Sequence, residues 1–313
     1  MQPILTLTLN PALDISTGVG QVRPGEKLRC AEPSYNPGGG GLNVSRALHR
    51  LGAPSLALVA LGGSTGERVA GLLKAEGILF LALKSPGDTR QSLTVTESTT
   101  GAQYRFLLPG PSWSPQEQAE ILAFFAASAR PGSIAVISGS HPPGVSVDFP
   151  ARLAAALPAC RAVLDTSGAA LAEAVARPIP GLEVLRMDSH EAEGLAGRPL
   201  PSAQDTADFA ESLLRGGAAA TVIVARGAEG NVLVTNTLRL IARPPKVQLV
   251  SAVGAGDSFV AGLTLAMARA EGWPQALALA TAAATAAVMT PATEFCRAKD
   301  VTWILPQVTI SAL

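Results

Sequence analysis

The sequence predicts an α/β fold with three layers, in which helices cover both faces of a mainly parallel central sheet. Short apolar runs rich in β-branched residues alternate with runs rich in Ala and Leu along most of the chain. Strands that are apolar throughout are typical of parallel sheets buried on both faces. The chain has 313 residues, of which 48% are hydrophobic, so it is long enough to bury a large core.

The individual elements follow from this alternation. Predicted strands of the central sheet are residues 4–9, 55–61, 134–138, 162–165, 183–186 and 221–225. Predicted helices are residues 44–51, 66–76, 115–129, 149–157 and 203–215. Apolar strands alternating with amphipathic helices indicate βα units. After Asp257 the pattern becomes mostly helical.

Two stretches interrupt the alternation and predict a small β-sheet lid. Residues 15–37 are polar, contain Gly and Pro, and lack helical periodicity. Within residues 88–109, two alternating runs are joined by a turn at 98–101, which is typical of a β-hairpin. We expect both excursions to cover a cleft in a single domain that spans residues 1–313.

The predicted hairpin brings two arginines to one face. If Glu97 pairs with Ala102, then Arg105 lies opposite Thr94, and Arg90 has the parity of Thr94. Two guanidinium groups facing a cleft suit a phosphate on a substrate. The alternative is that both are solvated charges on an exposed edge strand.

Composition argues against several classes of partner. The formal net charge is +0 and aromatic residues make up 4% of the chain, which disfavours nucleic acid and anionic membranes as partners. The longest apolar run, residues 276–289, is shorter than the roughly 20 residues that span a bilayer. The start of the chain lacks a signal-peptide pattern, and Cys30, Cys160 and Cys296 lie far apart. We therefore expect free thiols and a cytoplasmic location.

The most informative stretch is residues 251–258. A Gly254-Ala255-Gly256 turn precedes Asp257, and an amphipathic run begins there. The free N–H groups at a helix start and the helix dipole form an anion site. A carboxylate beside such a site repels an anion, but it suits a base that takes a proton from a hydroxyl during phosphoryl transfer.

Two further motifs are candidates for substrate binding. Four glycines, residues 38–41, precede Asn43 and a predicted helix, so backbone is exposed for close hydrogen bonding. Asp14 follows the first strand, near the sheet edge where ligands bind in open α/β sheets. The alternatives are a flexible loop for the glycines and a turn cap for Asp14.

Three motifs follow later strands. A tight turn at residues 138–144 supplies the Ser140 hydroxyl. Asp188 and Glu191 lie three residues apart, and they could hold hydrated Mg²⁺ beside phosphates or simply favour a helix N-terminus. A glycine-punctuated turn at residues 225–230 could line a nucleotide.

Together these motifs resemble the PfkB (ribokinase-like) carbohydrate kinases over residues 5–301. Residues 36–44 are similar to the first signature of that family, and residues 253–258 are similar to the second. No P-loop, Rossmann glycine motif or protein-kinase signature is present in the sequence. The resemblance implies a ribokinase-like fold and a kinase that uses ATP and Mg²⁺, with K⁺ in some members.

The resemblance also implies residue roles. The base for the acceptor hydroxyl is Asp257, and the anion hole is Gly254, Ala255 and Gly256. The sugar hydroxyls are bound by Asp14, Gly39, Gly40 and Asn43. The phosphate of the sugar is approached by Arg90, Arg105 and Ser140, and by Lys27, which could reach a neighbouring subunit.

On the nucleotide side, the resemblance implies that ATP is bound near Arg186, Asp188, Ala225, Gly227 and Gly230. Water-mediated Mg²⁺ binding falls to Glu191 and Asp188, and K⁺ binding to carbonyls near Ser251, Val253, Ala287, Thr290 and Ala292. Dimerisation through the lid is common among such members.

The chain departs from the family pattern on the nucleotide side. The Lys-Pro-Asn motif becomes Arg186-Met187-Asp188, and the Ser-Leu-Gly motif becomes Ala225-Arg226-Gly227. A Gly-Thr pair becomes Ala292-Thr293. Because these changes lie on the nucleotide side, the sequence constrains the identity of the phosphoryl donor and the turnover rate less than it constrains the fold.

Three hypotheses for the function follow. The first is transfer of the ATP γ-phosphate to the 1-hydroxyl of fructose 6-phosphate. The second keeps the family but changes the substrate, to tagatose 6-phosphate, fructose 1-phosphate, or an unphosphorylated sugar or nucleoside. The third is a catalytically impaired homologue that binds a sugar phosphate.

Overall fold

A ten-stranded sheet forms the centre of the molecule. The computed structural model describes residues 1–157, 159–291 and 294–313. The strands are β1 (Ile4–Thr8), β2 (Ala12–Val19), β3 (Ser34–Gly38), β4 (Leu56–Leu61), β5 (Phe80–Lys84), β6 (Arg90–Glu97), β7 (Gln103–Leu107), β8 (Ile134–Ser138), β9 (Arg161–Asp165), β10 (Leu182–Asp188), β11 (Thr221–Ala225), β12 (Asn231–Thr235), β13 (Arg239–Arg243) and β14 (Thr309–Ala312). The large sheet has the order β14-β13-β12-β11-β10-β9-β8-β1-β4-β5. Within this order, neighbouring strands from β11 through β10, β9, β8, β1 and β4 to β5 pair in parallel. Strands β12, β13 and β14 pair in antiparallel fashion at the other edge.

Helices pack on both faces of this sheet. They are α1 (Gly40–Arg50), α2 (Gly63–Ala75), α3 (Pro115–Ser128), α4 (Phe149–Ala155), α5 (Gly168–Ala176), α6 (Ser189–Ala196), α7 (Ala203–Arg215), α8 (Ala255–Ala268), α9 (Trp273–Val288) and α10 (Ala298–Ile304). Strand residues alternate between two cores: Leu5 and Leu7 pack with helices α3 to α7, whereas Ile4 packs with α1, α8, α9 and α10. The predicted three-layer α/β/α fold is therefore confirmed.

A second, four-stranded sheet has the order β3-β2-β6-β7, and we call it the lid. The predicted hairpin register is the observed one, since Thr94 pairs with Arg105 and the Glu97 N–H donates to the Ala102 carbonyl over 2.8 Å. The side chains on one face of β2 and β3 contact α2: the Arg68 guanidinium carbon lies 3.4 Å from the centroid of the Tyr35 ring. The division into a single domain with a lid stays a prediction.

Several element boundaries were predicted wrongly or missed. Helix α1 begins at Gly40 rather than at residue 44; the prediction missed this start because the helix opens with two glycines, which carry no apolar periodicity. The four strands β5, β12, β13 and β14 were not predicted, since three of them lie at or near a sheet edge and two are largely exposed. In the described part of the chain, no helix has the length and apolar character needed to cross a membrane.

Candidate active site

Asp257 lies in the first turn of α8, as the sequence predicts. Gly254 precedes the helix in the left-handed conformation, with φ 81°, which favours glycine. Helix α8 then begins at Ala255 and runs for 14 residues. The N–H groups of Gly256 and Asp257 make no backbone hydrogen bond in the described structure, and the Ala255 N–H makes only a long one, to the Ala252 carbonyl over 3.4 Å. This turn can therefore bind an anion next to the carboxylate.

The Asp257 carboxyl is held by a second helix. Asn43, in α1, donates from Nδ2 to Asp257 Oδ2 over 3.0 Å. Burial, and then the charge of Asp165, raise the pKa of Asp257 to about 7, although the Asn43 hydrogen bond and Arg186 act in the opposite direction. Asp257 nevertheless retains partial contact with solvent. A carboxyl group with a pKa near neutrality is suited to act as a general base.

An ion pair lies directly behind the anion site. Arg186 Nη1 contacts Asp165 Oδ1 over 3.0 Å, and their side chains are only 12% and 13% exposed. A β-carbon added to Gly256 would lie 3.3 Å from Arg186 Nη1, so the guanidinium packs against the turn. Sequence reasoning missed Asp165; the available signal was an acidic residue at the end of an apolar strand.

The glycine run makes close contacts that exclude side chains. Gly39 has φ 120°, and a β-carbon there would lie 2.6 Å from Thr8 Cγ2. A β-carbon on Gly40 would lie 2.6 Å from the backbone N of Gly139. The run therefore brings the start of α1 against the turn after β8, beside Asn43.

Asp14 faces this cleft from the lid strand β2. Burial raises its pKa, while Arg90, Arg46 and Arg105 lower it through their charges. Arg90 and Arg105 thus both lie near one carboxylate, consistent with the predicted shared face. Arg90 also donates from Nε to the Asn10 carbonyl over 3.2 Å.

Two other residues predicted to bind the substrate, Ser140 and Lys27, have fewer contacts with this cleft. Asn10 Nδ2 donates to Ser140 Oγ over 3.4 Å, which brings the predicted Ser140 to the same cleft. Lys27 is exposed on the loop between β2 and β3, and no hydrogen bond or ion pair connects it to the described site. Sequence reasoning missed Thr8 and Asn10. Among the described residues, the buried polar atoms without a partner include three in this cleft: Thr8 Oγ1, Asn10 Oδ1 and Asn43 Oδ1.

The acid pair on the nucleotide side forms a capping box. Asp188 Oδ1 accepts from the Glu191 N–H over 2.9 Å, and Glu191 Oε2 accepts from the Asp188 N–H over 2.8 Å. The structure therefore contains the acid pair at a helix N-terminus that the sequence analysis gave as one of two interpretations. One oxygen of each carboxyl remains free of these bonds. Burial raises the pKa of Glu191, with further contributions from the charges of Asp188 and Asp165.

These carboxylates do not form a direct metal cage. In residues 1–157, 159–291 and 294–313, no group of three or more His, Cys, Asp or Glu side chains could hold a metal ion. Asp165 repels both Asp257 and Glu191, and Asp188 also repels Glu191, so these charges nevertheless favour a cation nearby. The residues therefore fit a Mg²⁺ ion that keeps its waters and is bound mainly by phosphates.

The glycine-punctuated turn lies at the same sheet edge. Ala225, the last residue of β11, pairs with Asp188, the last residue of β10. Gly227, with φ 57°, begins a short 3₁₀ turn, and Gly230, with φ 112°, follows its last residue. The predicted nucleotide-side residues are therefore neighbours in space.

The carbonyls suggested for K⁺ come from two segments that meet. The N–H groups of Val250 and Ser251 donate to the Val288 carbonyl over 2.8 and 3.2 Å. Thr290 Oγ1 donates to the carbonyls of Ala287 and Phe295 over 2.8 and 3.0 Å. One position of this prediction, Ala292, lies outside the described residues, as does Thr293 of the altered Gly-Thr pair.

Comparison with known proteins establishes the family. The sequence profile of the pfkB family carbohydrate kinases matches residues 8–300. The chain belongs to this family.

Individual relatives are similar over nearly the whole chain. The "ATP-dependent 6-phosphofructokinase isozyme 2" of Mycobacterium tuberculosis is 40% identical over 303 residues, covering 95% of this chain and 87% of that protein. The protein of the same name from Escherichia coli is 36% identical over 302 residues, covering 96% and 97%. The crystal structure of phosphofructokinase-2 from E. coli in complex with fructose-6-phosphate superposes with a TM-score of 0.91 at 34% identity, covering 98% and 99%. That E. coli protein has also been solved with potassium and in a tetrameric inhibited form.

Proposed function

We propose that the chain transfers the γ-phosphate of ATP to the 1-hydroxyl of fructose 6-phosphate. The observation that carries this proposal is Asp257, which has a pKa of about 7 and lies at an amide-lined helix start. The names of the relatives from M. tuberculosis and E. coli support the choice of acceptor and donor.

The proton of the acceptor hydroxyl moves to the Asp257 carboxylate as the oxygen attacks phosphorus. Asn43 orients the carboxylate through its hydrogen bond to Oδ2. The amides of Ala255 and Gly256 stabilise charge on the transferring group, and Arg186 adds positive charge behind them. Mg²⁺, when bound, neutralises phosphate charge, and Glu191 and Asp188 are the residues that would hold its waters.

The phosphate of the sugar binds at the lid end of the cleft in this proposal. Arg90 and Arg105 lie close enough to Asp14 to lower its pKa, and Ser140 is joined to this region through Asn10. Asp14, Gly39, Gly40 and Asn43 face the sugar hydroxyls. Guanidinium pairs suit phosphate because they donate several hydrogen bonds in a fixed plane.

Dimerisation through the lid would complete the site. The outer strand β7 and the residue after it expose four large apolar side chains: Tyr104, Phe106, Leu107 and Leu108. An apolar edge strand of this kind is a template for pairing with a second copy. Lys27, which extends from the lid loop, would then reach the phosphate in the partner's cleft.

K⁺ would bind among the carbonyls near Ser251, Val253, Ala287 and Thr290, where two segments meet.

A coupled assay with ATP, Mg²⁺ and a panel of sugar phosphates tests the proposal. Fructose 6-phosphate is expected to give the highest kcat/KM, above tagatose 6-phosphate and fructose 1-phosphate. A higher kcat/KM with either competitor would show that this sugar phosphate, and not fructose 6-phosphate, is the preferred acceptor. Calorimetry with a non-hydrolysable ATP analogue addresses the remaining hypothesis, because a chain that binds sugar phosphate but no nucleotide would be an impaired homologue.

A further inference from the structure

Arg226, in the turn after β11, has a buried and fully bonded guanidinium. Its side chain is only 7% exposed. Nη1 donates to the Leu200 carbonyl over 2.8 Å and also to Thr206 Oγ1, and Nη2 donates to the Pro201 carbonyl over 3.0 Å. Nε and Nη2 both donate to Glu229 Oε2, over 3.0 and 2.6 Å. Every nitrogen of the guanidinium therefore has a partner.

These bonds join two segments that are distant in sequence. One is the turn of residues 226–230, and the other is the segment 200–206, which includes the first turn of α7. Most of the partners are neutral carbonyl or hydroxyl groups, and Glu229, the one carboxylate, is 66% exposed. The contact thus works mainly through the fork of donors that arginine presents, which neither leucine nor lysine can reproduce.

The turn itself has little freedom to adjust. The Arg226 N–H donates to the Gly230 carbonyl over 2.8 Å, closing the turn. A β-carbon on Gly230 would lie 2.0 Å from the Ala242 carbonyl oxygen, so the end of the turn packs against β13. The start of the turn follows Ala225, which pairs with Asp188 at the nucleotide-side edge of the sheet.

We infer that Arg226 is a positioning residue for the donor nucleotide. It anchors the 226–230 turn to the segment 200–206, and so fixes the backbone of Gly227 and Gly230 against which ATP binds. The family pattern has leucine at this position, so this chain holds the turn by hydrogen bonds that a leucine lacks. The inference rests on the proposed function, which places ATP beside this turn.

The test compares Arg226→Leu and Arg226→Lys with a matched control. Arg239 also bonds to α7, through Asp208 and Glu211, but it lies at the far end of β13, where it pairs with Val234. Arg239→Leu therefore loses ion pairs to the same helix without touching the turn. The measurements are the Michaelis constants for ATP and fructose 6-phosphate, and the Kd of a non-hydrolysable ATP analogue by calorimetry.

We expect Arg226→Leu to raise the Michaelis constant for ATP and the Kd of the analogue by about tenfold, with the constant for fructose 6-phosphate unchanged. Arg226→Lys is expected to show a smaller change in the same direction, and it decides the question if the leucine variant does not fold. Arg239→Leu is expected to leave both Michaelis constants unchanged. Unchanged ATP binding in the folded Arg226 variants, or equal changes for both substrates, would overturn the inference. A wild-type protein that binds the analogue but does not phosphorylate the sugar would contradict the proposed function alone.

Discussion

Asn43 and Asp257 are separated by 214 positions in the sequence, yet Asn43 Nδ2 donates to Asp257 Oδ2 over 3.0 Å. This hydrogen bond joins the start of α1, which carries the glycine run, to the start of α8, which carries the anion site. The two signature motifs thus form one site because their helices pack side by side in the same core. A hydroxyl bound by the first motif would lie beside the base of the second.

The pH profile of turnover follows from the pKa of Asp257. Only the ionised carboxylate accepts a proton, and its pKa is raised to about 7 by burial and by Asp165. We expect kcat/KM to fall about tenfold per pH unit below pH 7 and to level off above it. A flat profile between pH 5 and about pH 8 would contradict this assignment.

The same shift has a consequence for stability. The folded pKa of Asp257 lies above its usual value of 3.8, so the folded state retains a proton that the unfolded state has lost between these values. Stability contributed by this group is therefore lost as pH rises from 3.8 to about 7. Asp257→Asn, which cannot ionise, is expected to raise the Tm at pH 8 and to have no such effect at pH 3.5. Equal Tm differences at both pH values would show that the folded pKa is not raised.

The backbone approach at Gly40 predicts that a single methyl group disrupts the cleft. A β-carbon there would lie 2.6 Å from the Gly139 backbone N. We expect Gly40→Ala to lower the free energy of unfolding by about 1–3 kcal/mol and to raise the Michaelis constant for the sugar phosphate. Gly71→Ala is the matched control, because nothing lies within 4 Å of the added carbon on α2 and the change favours the helix. Equal thermal stability of the two variants would contradict the close approach.

The two lid arginines are expected to bind the phosphate of the sugar. A hydrogen bond to a charged group is worth about 1.5–3 kcal/mol, so Arg90→Ala and Arg105→Ala should each raise the Michaelis constant for the sugar phosphate by about 10- to 100-fold. Arg68→Ala is the control, because Arg68 stacks on Tyr35 instead. Michaelis constants that match the control in both variants would mean that no phosphate binds there.

Asp188 places a negative charge where the family has asparagine. Asparagine caps helices as well as aspartate does, so Asp188→Asn should keep the capping bond and leave Tm unchanged. It should raise the Michaelis constant for ATP by about fivefold, since the lost attraction between this exposed carboxylate and hydrated Mg²⁺ is worth about 1 kcal/mol. Asp188→Ala should lose about 1 kcal/mol of stability through the lost cap. A lowered Michaelis constant for ATP in Asp188→Asn would instead indicate that the carboxylate repels the phosphates and does not help to hold Mg²⁺.

The parts of this fold that depend on local pattern were predicted from the sequence. The pairing of Thr94 with Arg105 follows from the period of two along a hairpin, and helix α7 has the predicted bounds, 203–215. The pairing of Asp165 with Arg186 could not be predicted, because it depends on β9 and β10 being neighbours in the sheet. Three of the four residues bonded to the Arg226 guanidinium, Leu200, Pro201 and Thr206, likewise come from a segment 20 to 26 residues away.

Local spacing alone also left alternatives open. Asp188 and Glu191 have the same i, i+3 spacing whether they hold a hydrated cation or cap a helix. The capping bonds appear only when the helix start is known. Lys27 lies in the polar lid loop and is exposed, but the contact with a second copy that we propose for it is not encoded in the local sequence pattern.

Turnover of Asp257→Ala, measured with saturating ATP, Mg²⁺ and fructose 6-phosphate, tests the central claim most directly. General-base catalysis contributes about 10²- to 10⁴-fold, so kcat should fall by at least about 100-fold while calorimetry still detects binding of fructose 6-phosphate. A kcat within a few-fold of the wild type, with sugar binding intact, would show that Asp257 does not take the proton.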